Sequence, residues 1–286
     1  MPLITEPSSP QVSLAFDVAA SKARCRRMRR RILELSQRLN ALHIAPAFSC
    51  LEIVDTIYHG LMPGSRDGKS IAGTFILSKG HGALAQFAVL EELGVLSRHD
   101  LDTCCHPEGR LGGHPDYGAP GIEASTGSLG HGLPMSLGIC LAERELRLES
   151  TVYVVISDGE LMEGSTWESV LLAPTLRIWN LVVFVDFNDV ISGAQISVHH
   201  RNIYPVAEKF QAFGWQAIHA DGHDQDSLFG AVSRKDPARP LAVIAKTVKG
   251  KGVSFMENQP IWHYRSPNPM EYQQALSELA EQDLDR

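Results

Sequence analysis

Apolar positions recur along residues 15–42 at spacings of four and three. Met28, Ile32, Leu35, Leu39 and Leu42 form one stripe and predict an amphipathic helix. The same stretch carries Lys22, Arg24, Arg26, Arg27, Arg29, Arg30 and Arg31, expected on its solvated side rather than as a nucleic-acid patch. Ser49-Cys50-Leu51-Glu52 has the capping-box pattern and predicts a helix start, with the helix running through Ile53–Leu61. Residues 73–78, GTFILS, predict a short buried strand. Residues 83–94 predict a helix stopped by Gly94. Residues 103–126 are rich in Pro and Gly without periodicity and predict a loop; 127–147 return to a helical pattern.

The fold signal is strongest after residue 150. TVYVVIS (151–157) and LVVFVDF (181–187) are apolar throughout, as strands buried on both faces are. A helix is predicted between them at 163–176. WQAIHA (215–220) and LAVIAKTV (241–248) predict two more strands around a helix at 224–235. Strands alternating with helices predict right-handed βαβ units, hence an α/β fold with a parallel sheet flanked by helices. The expected organisation is an N-terminal arm (1–12), one α/β domain (13–269) and a C-terminal helical tail (270–286).

Composition narrows the class. With 286 residues, 44% hydrophobic and 21% charged, the chain is globular rather than disordered. No apolar run approaches the roughly 18 residues of a membrane span. A net charge of −7 argues against nucleic acid as a partner. The first residues lack the basic and apolar regions of a secretory signal. Cys25, Cys50, Cys104, Cys105 and Cys140 form no metal-like spacing, so reduced thiols and a cytoplasmic location are expected.

Candidate chemistry sits where strands end. In an open parallel sheet ligands bind beyond the carboxyl ends of the strands. Asp158 and Asn188 lie at two such ends, thirty positions apart. A carboxylate and an amide oxygen there can share one hard cation such as Mg²⁺, which takes oxygen ligands together with substrate phosphates. Gly159 permits close backbone approach to a phosphate, and the next helix N-terminus adds donors.

That spacing resembles the thiamine diphosphate motif, GDG followed by Asn about thirty residues later. The segment Ser157-Asp158-Gly159-Glu160 departs from it in having Ser157 for the first Gly. Asp189 stands where many members have Asn or Gly, and would add negative charge near the metal. Further matches resemble the transketolases: Leu77-Ser78-Lys79-Gly80-His81-Gly82, Leu111-Gly112-Gly113-His114-Pro115, Ser125-Thr126-Gly127-Ser128-Leu129-Gly130-His131-Gly132 and Asp221-Gly222-His223-Asp224. Lys246-Thr247-Val248-Lys249-Gly250-Lys251-Gly252 followed by Trp262-His263 completes the series, in family order.

The resemblance implies the thiamine diphosphate-binding (diphosphate domain) fold and a set of roles. Asp158, Asn188 and the main-chain carbonyl of Val190 would bind Mg²⁺, or Ca²⁺ or Mn²⁺ in its place. Gly159 would touch the diphosphate, while Gly127 and Leu129 hold the aminopyrimidine. His81 and His263 would sit by the thiazolium and diphosphate. His43 and His114 would line the substrate channel and bond sugar hydroxyls. Glu163 would couple two active sites across a dimer. His131 and His223 would shape their loops. Several imidazoles suit proton transfers near neutrality.

The glutamate that acts on the pyrimidine ring lies, in this family, in a second α/β domain for which no further strand–helix series is present. The resemblance therefore implies an N-terminal subunit of a split transketolase. It would move a two-carbon ketol unit between sugars or sugar phosphates and require a C-terminal partner carrying the pyrimidine domain, as an α2β2 assembly. The stretch Leu129, Leu133, Met135, Leu137 and Ile139 is expected to form an exposed apolar face for that partner. The alternatives are the α chain of a 2-oxo acid dehydrogenase, which lacks the SKGH, GGHP and Trp-His elements, and a noncatalytic interaction protein that kept the fold. A nicotinamide-binding domain is disfavoured because no GxGxxG follows an early strand.

Overall fold

The computed structural model describes residues 16–39, 43–62, 73–148 and 150–281. The N-terminal arm and Leu42 lie outside the described residues. Five parallel strands form one sheet: β1 (Thr74–Leu77), β2 (Val152–Ser157), β3 (Leu181–Phe187), β4 (Gln216–Asp221) and β5 (Leu241–Lys246), in the order β1-β2-β3-β5-β4. The four strands predicted from residue 150 onward and the short one at 73–78 are all present. Their register sets Leu77 beside Val155, Ser157 beside Asp186, and Phe187 and Asp221 beside Lys246, so every strand ends at the same edge.

Side chains alternate between two cores because successive strand residues point to opposite faces. Phe75, Leu77, Tyr153, Val155, Phe184 and Val243 face one side. There they meet α1 (Val18–Ser36), α2 (Ile44–Thr56), α3 (Ala83–Glu92) and, after the short α4 (Arg98–Asp102), later helices. Ile76, Val154, Ile156, Val183, Val185 and Ile244 face the other side. That side is covered by α5 (Gly132–Glu145), α6 (Gly164–Thr175) and, beyond the short α7 (Ile196–His199), α8 (Val206–Ala212). Each such aliphatic side chain contributes about 1.5–3 kcal/mol by its burial. The chain passes from β3 to the edge strand β4 and returns to β5. A right-handed return must lie on the opposite face, and α9 (Gln225–Ser233) does. In α10 (Pro269–Glu281) Ala275 and Leu279 are buried in the first core.

Several local expectations are corrected. Helix α1 ends at Ser36, short of Leu39, and is capped at its start by Asp17, whose side chain accepts the Ala20 N–H at 2.9 Å. Of its basic residues Lys22 and Arg27 are exposed as expected, but others are not. Arg29 is buried and bonds Glu52 at 2.6 and 2.8 Å, Arg24 bonds Asp55 at 2.9 Å, and Arg31 reaches Glu91 at 2.9 Å and Asp102 at 3.0 Å. These charges tie α1 to α2, α3 and α4. Ser49 does not cap a helix: α2 starts at Ile44, and the Ser49 hydroxyl donates instead to Asp186 at 2.7 Å. The last turn of α2 widens into a π-turn, Ile57–Leu61. Leu133 and Leu137, expected on an exposed face, are buried against the sheet, and Leu129 and Ile139 are half-buried.

Candidate active site

The segments that follow the strands converge on a cavity of about 380 Å³. It is lined by His43, Lys79, His81, His114, Gly127, Leu129, Asp158, Gly159, Glu163, Asn188, Val190, Lys249 and His263, with Ser157, Ile191 and Tyr264 among the rest. All the residues expected to touch metal, cofactor or sugar therefore meet in one place. The larger open depression around His199, Arg201 and Phe213 lies on the α7–α8 surface and shares only Met162 with it.

Asp158 sits at the end of β2 and Asn188 at the end of β3. The Asp158 carboxylate accepts the main-chain N–H groups of Gly159 (2.9 Å), Asn188 (2.9 Å) and Asp189 (2.6 Å). Burial, reinforced by the Asp186 carboxylate, pushes Asp158 up to about 7. The Asn188 amide oxygen accepts the Val190 N–H at 2.9 Å, and its amide nitrogen donates to Ser49 at 3.0 Å. A buried carboxylate served only by main-chain N–H donors, an amide oxygen and the Val190 carbonyl form an oxygen-rich set. That set fits a hard divalent cation. The Val190 carbonyl accepts the Lys249 ammonium at 2.8 Å.

Both departures from the family motif have a structural account. The Ser157 hydroxyl accepts the Glu160 N–H at 3.3 Å while Glu160 accepts the Ser157 N–H at 2.8 Å, closing a capping box on the turn Asp158–Met162. Asp189 does not aim its charge at the candidate metal ligands. Its carboxylate is taken up by the Ser197 N–H at 2.7 Å and by the Ser197 and Tyr204 hydroxyls. Its φ of +67° is a left-handed conformation, which Asp tolerates better than most residues and which Asn or Gly also suit.

Four imidazoles cluster beside these ligands. The His43 ring lies 5.8 Å from His81, 5.7 Å from His114 and 5.1 Å from His263, and His81 lies 5.4 Å from His263. Burial, then His114, lowers His43 to about 4. Burial, then Lys249, lowers His263 to about 3, and burial with Lys79 lowers His81. His43 and His263 are therefore neutral at pH 7. His43 Nδ1 lies 3.0 Å from the His263 carbonyl, which can only accept, so the proton is on Nδ1 and Nε2 is free to accept. The Lys249 ammonium meets His263 Nδ1 at 2.7 Å, leaving the other ring nitrogen as the donor.

Gly127 has φ +144°, and a Cβ there would stand 2.9 Å from the His114 ring. Only glycine brings this backbone against His114. His131 and His223 shape loops: His131 Nδ1 contacts the Leu129 carbonyl at 3.2 Å, and His223 Nε2 accepts the Val248 N–H at 2.8 Å. His223 Nδ1 in turn faces Glu52 at 3.0 Å, so the Arg29–Glu52 pair reaches the Lys249 loop.

Sequence reasoning missed Lys79, Lys249, Asp186 and Glu160. Lys79 is buried, bonding the Asp186 carboxylate and the Pro46 carbonyl, the latter at 3.1 Å. Buried Glu160 accepts the Gly130 N–H at 3.0 Å and the Ser78 hydroxyl, joining three loops. Lys249 is lowered to about 7 by burial and by Lys79. Signals existed: Ser157-x-x-Glu160 is a capping-box pattern. Asp186 is the one carboxylate in LVVFVDF, and the two lysines lie inside the motifs Leu77–Gly82 and Lys246–Gly252.

A family profile described as transketolase, thiamine diphosphate binding domain, matches residues 37–267. A subunit of the apulose-4-phosphate transketolase of Actinobacillus succinogenes is 34% identical over 280 residues, covering 94% of this chain and 99% of that protein. A subunit of the 6-deoxy-6-sulfo-D-fructose transketolase of a Clostridium species is 32% identical over 258 residues, covering 88% and 93%. The solved transketolase of Leishmania mexicana superposes with a TM-score of 0.84 at 23% identity, over 91% of this chain and 41% of that one. The chain thus spans about two fifths of that solved transketolase, and its sheet has the thiamine diphosphate-binding fold.

Proposed function

The chain belongs to the transketolase family, and from that premise we propose that it is the diphosphate- and metal-binding subunit of a split transketolase that transfers a two-carbon ketol unit from a ketose to an aldose. The observation that carries this reading is the convergence of Asp158, Asn188 and the Val190 carbonyl beside four imidazoles in one cavity. Asp158, Asn188 and Val190 hold Mg²⁺, with Ca²⁺ or Mn²⁺ as substitutes, and Gly159 faces the diphosphate. Gly127 and Leu129 support the aminopyrimidine. Lys249 points its ammonium at the same ligands and adds a cation for phosphate oxygens.

Bound thiamine diphosphate supplies the nucleophilic thiazolium carbon at which the carbon–carbon bond is cleaved and remade. The chain's own residues position the sugar and manage protons. His43, neutral and with Nε2 unprotonated, accepts a hydrogen bond from a substrate hydroxyl. His114 stands beside it, ring centroids 5.7 Å apart, and bonds a second hydroxyl. His263, donating through the nitrogen remote from Lys249, and His81 face the cofactor side.

The pyrimidine-binding glutamate is contributed by a partner chain. Two of the relatives are named as subunits, which supports a partner for this chain. Met135, Met162, Leu171, Leu172, Val198 and Phe213 remain exposed on the α5–α8 side and supply the apolar face that α5 alone does not. Two-fold closure as α2β2, with Glu163 near the junction of two sites, is the arrangement we propose. Among the described residues no helix is long and apolar enough to cross a membrane. The five free thiols support cytoplasmic residence. Calorimetric binding of thiamine diphosphate with and without Mg²⁺ tests the site: metal-dependent binding is expected, and metal-independent binding would contradict the ligand assignment.

A further inference from the structure

Cys104 and Cys105 are neighbours in sequence with sulfurs 3.7 Å apart. Cys104 is buried in the core, whereas Cys105 is exposed and has φ +61°. The Cys104 thiol donates to the Gly112 carbonyl at 3.3 Å, and the Cys105 N–H donates to the Leu111 carbonyl at 2.7 Å. The two cysteines therefore close the base of a surface loop, residues 106–110, onto Leu111 and Gly112. His114, two residues further, lines the cavity. Cys25, Cys50 and Cys140 are buried and distant in sequence.

We propose that Cys104–Cys105 is a redox modification site, which hydrogen peroxide converts to a reversible disulfide between adjacent residues that loosens the Leu111–His114 segment. The exposed Cys105 sulfur attacks the peroxide: a sulfur–oxygen bond forms, the oxygen–oxygen bond breaks and water leaves. The Cys104 sulfur then attacks the Cys105 sulfur. A sulfur–sulfur bond forms, the sulfur–oxygen bond breaks, and the leaving hydroxide takes the Cys104 proton as a second water. Two thiols lose two electrons and two protons, and the peroxide is reduced to water. Burial, with Cys105 beside it, pushes the Cys104 thiol up to about 12, so the exposed Cys105 and not Cys104 meets the peroxide first.

Geometry makes the bond reversible. Adjacent Cα atoms are about 3.8 Å apart, below the roughly 4.4–6.8 Å that ordinary disulfides span. Such a bond is strained, and strained disulfides have the higher potentials of labile, regulatory ones. Its formation consumes the thiol hydrogen bonded to Gly112, so that carbonyl loses its donor.

The test treats the purified chain with hydrogen peroxide and maps its peptides by mass. The expected product is the peptide holding Cys104 and Cys105, lighter by two hydrogens, with two of the five thiols lost and restored by reduced glutathione. Amide hydrogen exchange at Leu111–His114 should quicken in the oxidised chain. Cys105→Ser should keep its four thiols and its exchange pattern through the same treatment. Oxygen added to Cys105 without a disulfide, thiol loss spread to the buried cysteines, or covalent dimers through Cys105 would overturn the proposal. Unchanged exchange at Leu111–His114 would overturn its link to the site.

Discussion

The Asp158 carboxylate accepts the main-chain N–H of Asn188 at 2.9 Å, across the ends of two adjacent strands. Residues thirty apart in sequence are thereby held together at one edge of the sheet, and the spacing follows from one strand–helix–strand unit, β2-α6-β3. The first prediction rests on this contact. Asp158→Asn keeps one acceptor oxygen for the Asn188 and Asp189 N–H groups, which both meet a single carboxylate oxygen, so the fold should survive with the loss of the Gly159 contact. The substitution should weaken Mg²⁺-dependent thiamine diphosphate binding by at least about tenfold, ~1.4 kcal/mol. Calorimetry reads the affinity, and an unchanged value would remove Asp158 from the ligand set.

The histidines should separate by function. His114→Ala and His43→Ala should keep cofactor affinity within about threefold and lower turnover of the assembled enzyme by about 100-fold or more, the scale of a lost acid–base group. His263→Ala should impair both, because it also removes a partner of Lys249. Cofactor loss in His114→Ala ahead of any loss of turnover would contradict the roles.

Much of this arrangement is legible in the chain. The sheet declares itself because β2 and β3 are buried on both faces and carry uninterrupted apolar runs. The loop motifs declare themselves because backbone approach demands glycine, as at Gly127 against His114. What escapes notice is long-range pairing. The arginines of α1 look like a wet face, since their acidic partners Glu52, Asp55 and Glu91 lie on other helices. Ser49 looks like a cap because local pattern cannot reveal Asp186, which is 137 positions away. Helices α7 and α8 show too few apolar repeats to stand out, being four and seven residues long.

Stability should depend on Glu52. Burial alone would raise this carboxyl, but Arg29 and then His223 outweigh it and hold it at about 2. A group depressed in the folded state stabilises it above the unfolded pKa of about 4.3, and that contribution is lost as pH falls toward 2. The stability difference between the parent and Glu52→Gln should therefore be constant above about pH 5.5 and shrink below it. Breaking the buried pair should cost about 3–5 kcal/mol at neutral pH. Denaturant melts across pH measure this, and a pH-independent difference would contradict the pairing.

Asp189 should prove structural. Tyr204→Phe removes one donor from its carboxylate and should lower stability by roughly 1–3 kcal/mol, as a lost hydrogen bond to a charge does. Metal affinity should stay within about twofold, because the Asp189 contact to Asp158 runs through the main chain. A tenfold loss of affinity would mean that the carboxylate acts on the metal after all.

The most direct test of the split-enzyme account is a ketol-transfer assay on the purified chain, with thiamine diphosphate, Mg²⁺ and a ketose–aldose pair, alone and with a separate pyrimidine-domain chain. The account predicts cofactor binding but no turnover for the chain alone, and turnover that appears and saturates as the second chain is added. Robust turnover by the chain alone would contradict it.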